Sequence, residues 1–168
     1  MEPTPPADST TAPAVVSGVA AFTEHAVRVA QAARMDIVIF SDALDRRIYG
    51  DDRFVSTVRA FVLQNRRARL RVIVRQPGQA MRGAHRLVEL GRMLSSRIEF
   101  RQPPEERRLP TDEYLLADER ALLIRSGPTE LEARYFPSAP LEARQRLREF
   151  NVLWEESVPA RELRILGI

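Results

Sequence analysis

The sequence has no cysteine, which excludes disulfides, thiolate nucleophiles and cysteine-held zinc or iron–sulfur sites. It has only two histidines, His25 and His85, too few for a three-histidine zinc site. Lysine is missing as well: all 26 basic residues are arginine. That closes Schiff-base chemistry on lysine and the lysine of a phosphate-binding P-loop. No uninterrupted apolar run approaches the ~18 residues that a membrane span requires. The opening Met1-Glu2-Pro3-Thr4-Pro5-Pro6 has neither the basic start nor the apolar run of a secretory leader. A cytoplasmic location without a membrane partner is therefore expected. No dense acidic motif suggests a bound Mg²⁺, and no cofactor is expected.

What is present suits one folded domain: 168 residues, 44% of them hydrophobic, are enough to build a core. Arginine's planar fork grips phosphate and carboxylate well. The 23 acidic residues hold the net charge to +3, so nucleic-acid binding is the lesser reading.

Residues 1–17 hold four prolines with Ser, Thr and Ala, and are expected to be a disordered tail ahead of a domain over 18–168. Val19, Phe22, Ala26, Val29 and Ala33 recur at helical spacing and predict a helix over 18–33. The β-branched run Met35 to Phe40 predicts a buried strand, followed by a polar connection over 41–50. Asp51 and Asp52 then open a second helix, where carboxylates satisfy free N–H groups and suit the positive end of the helix dipole. Its apolar face is Phe54, Val55, Val58, Phe61 and Val62.

Leu70 to Val74 predicts the next strand, and a turn at Gln76-Pro77-Gly78 leads to a helix carrying Ala84, Leu87, Val88, Gly91 and Leu94. Arg97 to Phe100 predicts a third strand. Helices of this length between strands demand parallel pairing and right-handed crossovers. The pattern then changes: Tyr114 to Ala117 and Ala121 to Ile124 flank Asp118-Glu119-Arg120 and predict an antiparallel hairpin. A strand over 132–136 and a helix over 140–156 close the chain, the helix burying Leu141, Leu147, Phe150, Leu153 and Trp154. The expected fold is a three-layer α/β/α domain with a mixed, mainly parallel sheet.

A strand, an aspartate-bearing turn and an apolar return strand behind a βαβαβ half resemble the active-site hairpin of phospholipase-D-like proteins. That superfamily carries the pattern HxKxxxxD. Setting its aspartate at Asp118 puts the histidine position at Thr111 and the lysine position at Glu113, and neither matches. In the family the histidine is the nucleophile and the lysine helps to hold phosphate. Thr111 has no base beside it and Glu113 repels phosphate, so the resemblance implies the fold without the hydrolase chemistry. It also implies that two copies of a single-motif chain pair as a homodimer.

A second resemblance rests on Phe40-Ser41-Asp42-Ala43-Leu44-Asp45, Tyr49, His85 to Leu90, Ser96 to Glu99, Leu116-Ala117-Asp118 and Trp154 to Ser157. These are similar to an uncharacterised bacterial domain often attached behind GNAT acetyltransferase domains. That resemblance implies no reaction, and no glycine-rich acyl-CoA loop stands among the first 17 residues.

In open α/β sheets, ligands bind outside the carboxyl ends of the parallel strands. The residues expected at that rim are Asp42, Asp45 and Arg46, then Arg75, His85 and Arg86, then Arg101, with Asp118 completing the ring. Such a cluster suits an anion or nucleotide. Each residue also has a plainer use: His85 as a hydrogen bonder near a helix start, Asp42 and Asp45 as turn or cap residues, Asp118 as a turn former, and Arg46 and Arg86 as their ion-pair partners. His25, between Glu24 and Arg28, is expected to face solvent without a role. The arginines at 66, 67, 69 and 71 straddle a helix end and a strand start and read as a solvated rim, with no aromatics between them for base stacking.

The leading expectation is a non-catalytic binding or regulatory domain. One rival is a phosphodiesterase or transferase using His85 with Asp42 or Asp45 as an acid/base pair. The other is an arginine-mediated nucleic-acid binder.

Overall fold

The computed structural model describes residues 12–82 and 85–164. In chain order the elements are β1 (Ala14–Ser17), α1 (Val19–Ala32), β2 (Asp36–Ser41), α2 (Arg46–Tyr49), α3 (Asp52–Gln64), β3 (Arg69–Val74), α4 (Pro77–Ala80) and α5 (Arg86–Met93). They continue with β4 (Ile98–Gln102), β5 (Glu113–Ala117), β6 (Ala121–Arg125), β7 (Glu132–Phe136), α6 (Pro140–Glu156), β8 (Val158–Pro159) and α7 (Arg161–Arg164).

One eight-stranded sheet runs in the order β1-β7-β6-β5-β2-β3-β4-β8. β2, β3 and β4 are parallel, as the helical crossovers between them require. Every other pairing is antiparallel, so the expectation of a mainly parallel sheet holds only at its centre. Alternation along the strands sends side chains to two faces. Ile39, Leu70, Val72, Leu115 and Leu123 join the core beneath α1, α3 and α5. Val38, Phe40, Tyr114, Leu116 and Leu122 join the core beneath α6. This is the three-layer arrangement expected from the sequence.

Local chemistry sets the element boundaries. The Asp51 carboxylate accepts from the backbone N–H groups of Arg53 and Phe54 and starts α3. Asp118 and Glu119 both have positive φ, 51° and 55°, and the Arg120 N–H closes the turn onto the Ala117 carbonyl. Ala117 pairs with Ala121, so the hairpin loop is the three residues 118–120.

Three expectations need correction. The tail expected over 1–17 lies outside the described residues up to position 11, but Ala14–Ser17 is an edge strand paired with β7. Val16 is buried there while its neighbours face out, an alternation too short to stand out in a proline-rich stretch. Leu141, assigned to the core of α6, is 73% exposed because the helix buries Ala143, Leu147, Phe150, Leu153 and Trp154 instead. The connection after β2 is not simply polar, since it buries Leu44, Ile48 and Tyr49. Ala84, assigned to the helix that is α5, lies outside the described residues.

Candidate functional site

The strand directions bring several chain ends to one rim. β2 ends at Ser41 and β3 at Val74. β5, antiparallel to β2, starts there with Glu113, and β6 ends there with Arg125, its register partner across the hairpin. Glu113 is 3% exposed and Arg125 7%, and they form an ion pair, Arg125 Nε donating to Glu113 Oε2 at 2.5 Å. The other carboxylate oxygen of Glu113 accepts from Ser41 Oγ at 3.1 Å and from the Asp42 N–H. Ser41 Oγ in turn accepts from the Leu44 N–H at 2.9 Å. The carboxylate at the lysine position of the HxKxxxxD pattern is thus fully engaged, which is how a buried charge is tolerated.

Beside this pair lies a cavity of about 300 Å³ between the start of α1, α2 and the β6–β7 loop, lined among others by Gly18, Phe22, Arg47, Arg125 and Glu130. The Arg125 guanidinium stacks over the Phe22 ring at 5.2 Å. Only its Nε is hydrogen-bonded, so its terminal amino groups keep donors without an acceptor among the described residues. The first turn of α1 carries no acidic residue and no side-chain cap. Arg47 is held by Asp45 through two hydrogen bonds of 3.1 and 2.8 Å.

The residues expected at the rim have varied fates. His85 does approach the 42–45 loop, but it is 3% exposed and its Nε2 meets the Leu44 carbonyl at 2.8 Å, not a carboxylate. A carbonyl only accepts, so Nε2 carries the proton; Nδ1 is buried with no partner among the described residues. Burial is the main cause that holds the imidazole below its ordinary pKa.

Asp42 instead accepts from Gln76 at 2.9 Å and lies 3.7 Å from Arg75. Asp45 caps α2 and binds Arg47, and these hydrogen bonds hold its carboxyl below the usual range against the opposing effect of burial. The acid/base pair expected of His85 with Asp42 or Asp45 is therefore not assembled. Thr111 is exposed.

Arg46 is exposed on α2 near His85. Arg86 is exposed and pairs with Asp52 of α3. Arg75 ties down the loop before β5, donating to the carbonyls of Pro110 at 2.6 Å and Asp112 at 3.0 Å. Arg101 is turned to the α6 face, where it stacks 4.2 Å over Trp154 and pairs with Glu99. Arg71 stacks there on Phe150 at 5.2 Å, so one member of the arginine run does meet aromatic rings, though internally.

Asp118 does not join this rim. Because β5 runs against β2, the turn that ends β5 lies at the start of β2, on the opposite rim. Its carboxylate accepts from the N–H groups of Arg34, Met35 and Asp36 and fastens the α1–β2 connection. His25 is partly buried, with its ring 4.9 Å from that of Tyr135.

Arg125 escaped the sequence reading. A signal existed: a three-residue loop over 118–120 pairs position 113 with position 125, so an acid opening one apolar strand faces a base closing the other. Among the described residues no group of three or more His, Cys, Asp or Glu side chains is placed to hold a metal ion.

This sheet order, with the hairpin packed against the parallel strands, is that of the phospholipase-D-like fold. The chain is similar to Nuc of Salmonella typhimurium, a phospholipase D family member (TM-score 0.61, 14% identity, 88% of this chain and 98% of that one). It is similar to NucT from Helicobacter pylori (TM-score 0.59, 6% identity, 88% and 98%). It is also similar to TrmBL2, an archaeal chromatin protein whose structure shows a novel mode of DNA binding (TM-score 0.63, 14% identity, 89% of this chain). It spans 54% of TrmBL2's length. At such identities the likeness shows the fold alone.

The chain belongs to the family described as Domain of unknown function (DUF7931), whose model matches residues 18–166. No curated protein matches it in sequence. Among the described residues, no helix is long and apolar enough to cross a membrane.

Proposed function

We propose that this chain is a binding or regulatory domain on a phospholipase-D-like fold that has given up hydrolysis. The observation that carries the reading is Glu113, a buried carboxylate at the position where the fold's pattern has lysine, locked by Arg125, Ser41 and the Asp42 N–H. The hydroxyl beside it, Ser41 Oγ, donates to this carboxylate, and the histidine nearby is inside the core with its Nε2–H donated to the Leu44 carbonyl. The free donors of Arg125 and the uncapped start of α1 favour a small anion or a nucleotide phosphate in the adjoining cavity.

The test is release of p-nitrophenol from bis(p-nitrophenyl) phosphate by the full chain. The expected rate equals that of buffer. Turnover that disappears in His85→Ala would overturn the proposal in favour of an enzyme. Titration with inorganic phosphate, followed by amide NMR, should shift resonances around Gly18, Arg47 and Arg125.

A second reading, nucleic-acid binding, is favoured by the likeness to TrmBL2 and by exposed Arg66 and Arg67 at the α3–β3 turn. It requires a gel shift that weakens steeply with added salt, because released counterions supply the affinity. No shift at low salt ends it.

A further inference from the structure

A second cavity lies on the other face of the sheet, under the loop that joins β4 to β5. Its volume is about 270 Å³, and its walls include Phe40, Leu109, Tyr114 and Leu153, with Arg108 and Glu149 also lining it. For scale, an apolar cavity of roughly 150 Å³ takes up benzene. The loop above it is fastened at several points. Arg75 holds the carbonyls of Pro110 and Asp112, Arg107 pairs with Glu156 at 2.7 Å, and Arg146 pairs with Asp112 at 3.0 Å. A roof pinned this way keeps the space beneath it open, where an unpinned loop would collapse onto the apolar floor.

Three polar groups in this cavity are unused. Tyr114 is 4% exposed, yet its hydroxyl makes no hydrogen bond with any described residue. The hydroxyl is not itself shut away, so it opens to the cavity and offers a donor and an acceptor there. Burial also pushes its phenol pKa up, keeping the hydroxyl neutral. Arg108 and Glu149 are exposed and opposite in charge. Neither forms an ion pair, with each other or with another described residue, although the neighbouring Arg107 and Arg146 do.

An apolar floor, a lone hydroxyl and two opposite charges standing apart complement a ligand with an apolar body and both signs of charge on its head. We propose that this cavity binds a free apolar α-amino acid. Its carboxylate is received by Arg108 and the Tyr114 hydroxyl, its ammonium by Glu149, and its side chain by Phe40 and Leu153. The site lies on the face opposite Glu113 and Arg125 and stands whether or not the proposal of a non-hydrolytic domain survives.

The experiment is titration of the full chain with L-leucine and with L-phenylalanine, read by calorimetry and by amide NMR. Saturable binding is expected, with shifts gathered at 107–110, 114 and 149–153. Phenylpropionate, which lacks the ammonium, and phenethylamine, which lacks the carboxylate, should each bind at least about tenfold more weakly, as expected for one lost charged hydrogen bond. Glycine, without an apolar body, should not bind. Tyr114→Phe and Arg108→Gln should weaken L-phenylalanine by a similar factor, and Glu149→Gln should do so while leaving phenylpropionate unaffected. Val152→Trp, at an exposed rim position, should block the mouth without disturbing the fold. The proposal is overturned if neither amino acid binds, if phenylpropionate or phenethylamine matches phenylalanine, or if binding persists in Val152→Trp.

Discussion

The imidazole of His85 is fastened to the carbonyl of Leu44, a fully buried residue held at a φ of 55°. A β-carbon-bearing residue rarely adopts that conformation, and here it follows a tight loop closed by the Ser41 hydroxyl. The histidine therefore acts as a strut between the start of α5 and the turn after β2.

That strut should make stability depend on pH. The native state takes up a proton at His85 less readily than the unfolded chain, because burial disfavours the imidazolium. The unfolded chain therefore binds more protons once the pH drops below about 6.5, and stability, complete above that point, declines on acidification. The slope contributed by one such group approaches about 1.4 kcal/mol per pH unit. Urea midpoints measured between about pH 7 and pH 5.5 should fall, and His85→Gln, which retains a donor for Leu44, should flatten that decline.

The Glu113–Arg125 pair should show strong coupling. Arg125→Met leaves the buried Glu113 carboxylate without its counter-ion, and a cost of about 3–5 kcal/mol is expected. Glu113→Gln in the same background removes the stranded charge and should recover much of that loss. A double-mutant cycle by urea denaturation measures the coupling; simple additivity would mean that the pair contributes no specific interaction.

Asp118→Ala should cost about 1–2 kcal/mol, comparable with the loss of a strong helix cap, since three backbone N–H groups lose their acceptor. Asp118→Asn should cost less, because asparagine tolerates the positive φ and keeps an oxygen for one or two of the donors. Thermal unfolding separates the two variants.

Gly91 lies where α5 crosses β4, and a β-carbon there would run into the Phe100 ring and crowd Ile98. Gly91→Ala would gain helix propensity, yet the overlap should dominate and destabilise by about 1–3 kcal/mol. Pairing it with Phe100→Leu should restore part of the loss, measured as the shift in urea midpoint.

Periodicity was legible wherever burial is one-sided and the element is long. The spacing of Phe22, Ala26 and Val29 marked α1, and the apolar runs at 37–40 and 70–74 marked the central strands. β1 and β8 were not legible, because strands of four and two residues derive their order from a neighbour's hydrogen bonds, not from their own pattern. The candidate site was legible in part. The resemblance to the HxKxxxxD pattern put Glu113 at its lysine position, while Arg125 needed the hairpin register.

By itself the sequence determined which chemistry is closed, through its lack of cysteine and lysine, and it determined the order of the longer helices and strands through local apolar patterning. Only the tertiary structure decided which polar residues meet. Strand direction sent Asp118 to the far rim and Glu113 to the near one, and packing turned Arg101 onto Trp154 and drew His85 to a carbonyl. Those pairings join residues distant in the chain, and no local pattern carries them.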